Sequence, residues 1–285
     1  MGKKKLTPYL LIAPYIIHFG LFVAFPVVFS LVLVFHRWNI ISPMEYVGPG
    51  NFIRLLGDTF FWQSVLNTLY FILIHVPLQL LIAISFALIL NLPLRMLGVF
   101  RAIYFLPVVV SGVVVTILWQ QLFGYENGIL NRLLTYLTLP RIGWLTDPDI
   151  AMPSIAIMAT WKNVGLYIIL FLTGLQTVPV QLYESADLEG ATAWQKFRHI
   201  TIPMINPTIL LVLVLSTIGG FSLFIEPYVM TGGGPLSRTL SSVLYIYKQG
   251  FFFYHMGYAA TMGVTLTAII LVVVIIQKKY VERNT

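Results

Sequence analysis

The chain has 285 residues, 58% of them hydrophobic and only 9% charged, with a mean hydropathy of +0.88. That make-up excludes an ordinary soluble globule, which would lack the polar surface to cover itself, and predicts an all-α polytopic membrane protein. The net charge of +7 does not indicate nucleic acid, because the basic residues flank apolar runs and do not gather with aromatics on one surface.

Crossing about 30 Å of hydrocarbon takes roughly 20 apolar residues in a helix. Six runs reach that length: Leu10 to Phe35, Trp62 to Leu90, Ala102 to Phe123, Pro153 to Leu175, Pro207 to Met230 and Gly257 to Ile276. The first follows Lys3, Lys4 and Lys5 and imitates a signal peptide. It exceeds an h-region of roughly 7 to 15 residues and lacks an A-x-A pattern, so it is expected to stay as a span. The turn-rich Val47-Gly48-Pro49-Gly50 lies between the first two spans, and Pro77 predicts a kink in the second. Arg95 and Arg101 mark the connection to the third.

The fourth run contains Trp161-Lys162-Asn163-Val164-Gly165-Leu166-Tyr167, and the fifth has Glu226 near its end. A central charge costs about 2.5 to 3.5 kcal/mol on insertion scales. Either Lys162 snorkels to the interface and Glu226 caps a helix end, or both belong to a watery cavity; the sequence leaves open whether the two pair with each other. Asn163 and Tyr167, four apart, share a helix face, and Ser216, Gly220 and Leu223 form a second row ending near Glu226. The two rows offer hydroxyls, an amide and small residues to a shared outward-opening space. That mixture suits a polyhydroxylated ligand such as a sugar, whereas an ion pathway shows paired acids, or an acid with His, in mid-membrane.

Between the fourth and fifth runs lies a polar island around Glu184, Ser185 and Ala186. From Pro179 it reads as a short helix ended by Gly190 in a left-handed conformation. Thr192 with Gln195 forms a capping box for a second helix, which Pro203 stops, and Asn206-Pro207 then starts the fifth span with Asn as N-cap. The expected product is a helix-turn-helix knob in water, rooted on the fifth span. Gly232-Gly233-Gly234-Pro235 reads as an irregular connection, and Ala259, Gly263 and Thr267 as a small-residue packing face on the sixth span.

Ten basic residues fall on one side of these spans: Lys3, Lys4, Lys5, Arg95, Arg101, Lys196, Arg198, Lys278, Lys279 and Arg283. Six, namely Arg37, Arg54, Arg132, Arg141, Arg238 and Lys248, fall on the other, over longer loops that also carry acids. The positive-inside rule makes both termini and the island cytoplasmic. No connection is long enough to fold alone, so residues 1–285 are expected to form a single transmembrane domain.

Cysteine is absent, and no G-x-x-x-x-G-K-[ST], H-E-x-x-H or G-x-S-x-G occurs. His18, His36, His75, His199 and His255 are dispersed. Neither catalytic residues, a metal site nor a bound cofactor is expected of this chain.

The spacing of Glu184, Ala186, Gly190, Ile200 and Pro203 resembles the EAA motif of bacterial ABC importer permeases, with Ser185 for the second-position Ala and Ile202 for Leu. Trp161 through Gly165, Gly174-Leu175-Gln176-Thr177-Val178-Pro179, Trp194-Gln195-Lys196-Phe197, Thr231 through Pro235, and Leu244-Tyr245-Ile246-Tyr247 are similar to the maltose-type carbohydrate uptake family. Tyr9 through Pro14 and Val47-Gly48 with Asn51-Phe52 extend the likeness over essentially the whole chain. The extra N-terminal spans and large external insert of the maltose permease itself are missing, as in shorter six-span members.

The resemblance implies a type I ABC importer permease fold with an EAA coupling loop at about residues 176–206, in a bacterial or archaeal cell membrane. It implies a heterodimer with a second homologous permease, two cytoplasmic ATPase subunits that hold ATP and Mg, and an extracytoplasmic solute-binding protein. Glu184, Ser185, Ala186, Asp187 and Gly190 take the ATPase-coupling role, and Lys162, Asn163, Leu166, Tyr167, Ser216, Gly220 and Leu223 the sugar contacts, joined by Glu226. The implied cargo is a di- or oligosaccharide or related polyol. Glycerol 3-phosphate is the alternative, because Lys162 suits an anionic group. An ion-coupled secondary transporter would leave the knob unexplained, and a membrane anchor would need no facing polar groups.

Overall fold

The computed structural model describes residues 7–92 and 97–282; Lys3, Lys4, Lys5, Arg95 and Arg283, which enter the orientation argument, lie outside them. The first apolar run forms α1 (Thr7–Phe19) and α2 (Phe25–Leu33), joined by a π turn at Gly20–Ala24. Two-residue strands β1 (His36–Arg37) and β2 (Glu45–Tyr46) pair antiparallel, with His36 opposite Tyr46. Then come α3 (Gly50–Leu56), α4 (Thr59–Leu90), which continues through Pro77, α5 (Leu97–Val109), α6 (Gly112–Leu122) and α7 (Ile129–Tyr136). The long α8 (Ala151–Gln176) leads to α9 (Val180–Leu188), α10 (Ala193–Lys196) and α11 (Ile202–Met204). The chain ends in α12 (Asn206–Phe221), α13 (Ile225–Met230), α14 (Ser242–Tyr247) and α15 (Met256–Glu282).

Among the described residues, five segments are long and apolar enough to cross a membrane: Leu10–Leu33, Thr59–Leu90, Ala151–Gln176, Asn206–Met230 and Met256–Val281. The third expected span is instead a bent pair, α5 and α6, turned by 96°. Pro107 lacks the N–H that would sustain α5, and Ser111 adopts an extended ψ of 127° before Gly112 opens α6. The run Val108 to Val115 is apolar on both sides of that break, so hydropathy alone conceals it. The fifth segment also has an interruption, at Ser222 to Phe224, between α12 and α13.

The chain forms two compact units, residues 1–61 with 245–268, and residues 62–244 with 269–285. In the first, the carbonyls beyond α2 are captured individually, as buried backbone groups require. Asn51 donates to the Val34 and His36 carbonyls at 2.9 and 3.0 Å, and the Met256 N–H donates to the Trp38 carbonyl at 2.9 Å. A side chain at Gly257 would collide with the His36 carbonyl. Asp58 accepts from the Phe61 N–H at the start of α4 and from the hydroxyls of Tyr245 and Tyr258, at 3.0, 3.0 and 2.6 Å. Ala259 is buried, but a Cβ at Gly263 would meet nothing within 4 Å and Thr267 is exposed, so among the described residues only the first member of the small-residue row is closely packed.

In the second unit α8 is the central helix. α5 lies so close that a side chain at Gly165 would run into the Tyr104 carbonyl, and a side chain at Gly174 would run into Thr208 of α12. Ala83 and Ala87 of α4, Ile168, Phe171 and Leu175 of α8, and Ile205 and Val212 at the base of α12 form the core there. α6 packs on α13, and Gln120 donates to the Val229 and Met230 carbonyls at 3.2 and 3.3 Å, groups left without helical partners at the end of α13. Asn67 of α4 holds the turn after α13 by donating to the Ser237 and Leu240 carbonyls.

Candidate functional site

A cavity of about 270 Å³ opens in the second unit. α8 contributes Ala159, Lys162, Asn163 and Tyr167; α4 contributes Phe71 and His75; the broken segment α12 to α13 contributes Ser216, Gly219, Ser222, Leu223, Ile225 and Glu226. Lys162 Nζ lies 3.1 Å from Glu226 Oε1, and the two side chains are 14% and 10% exposed. The sequence left open whether these charges meet; they form an ion pair. Two backbone features permit it. The interruption before α13 places Glu226 in its first turn, and the missing side chain at Gly112 leaves room for the ammonium, since a Cβ there would lie 2.7 Å from Nζ.

Six of the eight residues expected to contact ligand, Lys162, Asn163, Tyr167, Ser216, Leu223 and Glu226, therefore line one space. Leu166 is 42% exposed and lies outside it. Gly220 turns toward α4, where a Cβ would fall 2.7 Å from Ile72, so it serves close helix packing. His75 is the notable addition. Its Nδ1 is 2.8 Å from Thr160 Oγ1, whose own proton goes to the Ala156 carbonyl at 2.8 Å. Thr160 then accepts from Nδ1–H, which leaves Nε2 for the cavity. The signal was an ionisable residue inside an apolar span.

Beside the cavity, Gln79 and Ser216 neighbour the Tyr167 hydroxyl, yet neither Gln79 amide atom nor Ser216 Oγ has a hydrogen bond of ordinary geometry. Buried orphans of this kind favour a ligand or water that supplies the missing partners. A larger cavity, about 670 Å³, is bordered by Arg37, Trp38, Glu45, Arg54, Tyr254 and Tyr258 of the first unit; none of the expected contact residues lies there.

The polar island folds as a knob. Gly190 has φ +75°, its N–H donates to the Asp187 carbonyl at 3.1 Å, and the Ala191 N–H donates to the Ala186 carbonyl at 2.9 Å. These two bonds close α9 as a Schellman motif. Thr192 and Gln195 form the expected capping box on α10. Lys196 Nζ, 2.5 Å from Asp187 Oδ1, ties the two helices together. Tyr183, whose hydroxyl meets Thr201 Oγ1 at 2.9 Å, packs with Ile200 on the core formed by α4, α8 and α12.

Glu184, Ser185, Asp187 and Gly190 are exposed, Ala186 is half-buried, and Leu188 is 91% exposed. Pro203 does not stop the second helix as expected. The helical run that starts at Ala193 passes through a π turn at Phe197–Thr201 into α11, with Pro203 inside it, and the chain turns only at Ile205. Asn206 is the first residue of α12 and its amide donates to the Val281 carbonyl at 3.4 Å, so it does not act as the cap.

Residues 55–285 match the family model described as binding-protein-dependent transport system inner membrane component. The chain is 35% identical to the arabinooligosaccharides transport system permease protein AraP of Bacillus subtilis (strain 168), over 97% of this chain and 89% of that one. It is 37% identical to the lactose transport system permease protein LacF of Rhizobium radiobacter, over 94% of this chain and 92% of that one. Among solved structures, a chain of the bacterial alginate ABC transporter in complex with alginate pentasaccharide-bound periplasmic protein matches with a TM-score of 0.86 at 25% identity. That match covers 99% of this chain and 96% of the other.

Proposed function

The chain belongs to the family of binding-protein-dependent transport system inner membrane components, and from that membership we propose that it is the permease subunit of an ATP-driven importer of a di- or oligosaccharide or related polyol. The cavity of α4, α8, α12 and α13 is its half of the translocation path, and the knob is its contact with the motor. In this reading both termini and the knob face the cytoplasm, and residues 1–285 act as one transmembrane permease domain. A second homologous permease completes the path. Two ATPase subunits bind ATP and Mg, and an extracytoplasmic solute-binding protein delivers the sugar.

One observation carries this reading: the same two helices bear the cavity and the knob. Lys162 precedes the end of α8 by 14 residues and Ser216 follows the start of α12 by 10, distances of about 21 and 15 Å at the helical rise. The knob connects α8 to α12, and the close approach of Gly174 to Thr208 couples those helices at its root. Displacing the knob therefore shifts both walls of the cavity as rigid elements, the kind of motion that alternating access needs. Glu184, Ser185, Ala186, Asp187 and Gly190 present the surface the ATPase grips. Lys162, Asn163, Tyr167, Ser216 and His75 hold the sugar loosely enough to release it, and Glu226 and Leu223 shape their surroundings.

Reconstitution tests the proposal. The chain purified with its second permease and ATPases, in liposomes supplied with the binding protein, is expected to accumulate labelled saccharide only with ATP on the ATPase side. Uptake by this chain alone, driven by an ion gradient, would overturn it in favour of a secondary transporter.

A further inference from the structure

We propose that Glu226 sets the charge selectivity of the cavity: its pairing with Lys162 cancels the single cationic side chain there, so the chain accepts neutral saccharides and turns away uronic-acid sugars and polyol phosphates. The inference rests on the cavity being the sugar site of the preceding reading and narrows its cargo.

Lys162 alone would be a nearly buried cation at the wall of a small cavity, a strong attractor for carboxylate or phosphate. Glu226 Oε1 stands 3.1 Å from its Nζ, and both side chains are nearly buried. Any anion that reaches Nζ must also approach Glu226, and at reduced dielectric that repulsion offsets the attraction. Among the described residues, no third Lys, Arg, Asp or Glu lines the space.

What remains suits a hydroxyl. Nζ has two further N–H groups and Glu226 a second oxygen, Asn163 offers both an acceptor and donors, His75 presents its second ring nitrogen, and the Ser216 hydroxyl lies beside that of Tyr167. Each sugar hydroxyl, at once donor and acceptor, can bridge such neighbours, whereas a carboxylate can only accept. Gly112 belongs to the same device, since any side chain there would meet the ammonium in its present place.

The test is equilibrium binding to the assembled complex in nanodiscs, without the solute-binding protein, which would impose its own selection. The probes are neutral di- and trisaccharides, including lactose, maltose and arabinobiose, with the C6-oxidised uronates of the hexose members. The wild type is expected to prefer the neutral members by at least about tenfold. Glu226→Gln should shift that ratio at least about tenfold toward the uronates, and the double variant Lys162→Gln with Glu226→Gln should return it toward the neutral sugars. If Glu226→Gln does not assemble, Lys162→Gln carries the test, because it must reject uronates more strongly than the wild type does.

Equal wild-type binding of uronates and neutral sugars, an unchanged ratio in Glu226→Gln, or improved uronate binding in Lys162→Gln overturns the inference and leaves the importer reading intact. Binding of none of the neutral saccharides by the wild type instead removes the reading beneath it.

Discussion

Lys162 on α8 and Glu226 on α13 are 64 residues apart in the chain and 3.1 Å apart in space. Each is costly in an apolar span, and each makes the other tolerable. Their meeting point is also where two expected straight spans are interrupted, at Val110–Ser111 beside Gly112 and at Ser222–Phe224. Broken helices of this kind let backbone and polar side chains face a cavity inside a membrane protein.

Breaking the pair from one side should destabilise more than removing it whole. Lys162→Met or Glu226→Met leaves an unpaired, nearly buried charge, an effect of about 3 to 5 kcal/mol in comparable settings. The double methionine variant should lose less than either single variant. Thermal unfolding of the assembled complex reads this directly, and a double variant less stable than both singles would show that the ion pair is not what joins these positions.

Two glycines in tight places should behave differently. At Gly165 an added methyl meets the backbone carbonyl of Tyr104, which cannot yield, so Gly165→Ala should separate α5 from α8 and lower stability by about 1 to 3 kcal/mol. At Gly112 the obstacle is the mobile tip of Lys162. Gly112→Ala should leave the melting temperature within a few degrees while altering ligand affinity. Equal melting temperatures for the two variants would contradict this.

The knob offers a separation of ATP use from transport. Gly190 has φ +75° and a Cβ there would meet nothing within 4 Å, so within this chain Gly190→Ala adds only backbone strain, about 1 to 2 kcal/mol. Concentrated on the turn between the knob's helices, that strain lowers the ratio of competent to distorted conformation by roughly 5- to 30-fold, which sets the upper bound on the loss of uptake. Uptake in proteoliposomes should fall within that bound while the complex remains assembled. Thr192→Ala, which removes the capping box, should act in the same direction by about 1 kcal/mol. Unchanged uptake in both variants would show that the knob does not transmit the stroke.

Alkaline pH probes the first unit. Burial, reinforced by the hydrogen bond to Asp58, pushes the Tyr245 phenol up to about 12. A phenol with a raised folded-state pKa contributes stability that is present in full below its unfolded value, about 10, and that is lost as pH rises through the folded value. Melting temperature should therefore decline between about pH 10 and 12, and Tyr245→Phe should flatten that part of the profile. An identical profile for Tyr245→Phe would contradict the assignment.

Much of this was legible in the chain. Hydropathy located the apolar segments, and the knob's devices, Gly190 and the Thr192 to Gln195 box, depend on local residues and appear as expected. The bend between α5 and α6 escaped because a break inside Val108 to Val115 changes no hydropathy. His75 escaped because its role depends on Thr160, 85 residues away. Gly220 was placed on the ligand face by periodicity, but the nearby Ile72 claims that space, a tertiary fact no spacing reveals. Asn206 was read as a cap, whereas its amide reaches Val281, which only the folded chain brings near.

The chain has no cysteine, so a single thiol at the cavity can report on it from solution. Asn163→Cys in the assembled complex should react with a membrane-impermeant maleimide faster when the ATPases hold a non-hydrolysable ATP analogue. Transported saccharide should slow that reaction, and Gly190→Ala should remove the nucleotide dependence. A labelling rate indifferent to nucleotide, to saccharide and to the Gly190 substitution would contradict the account.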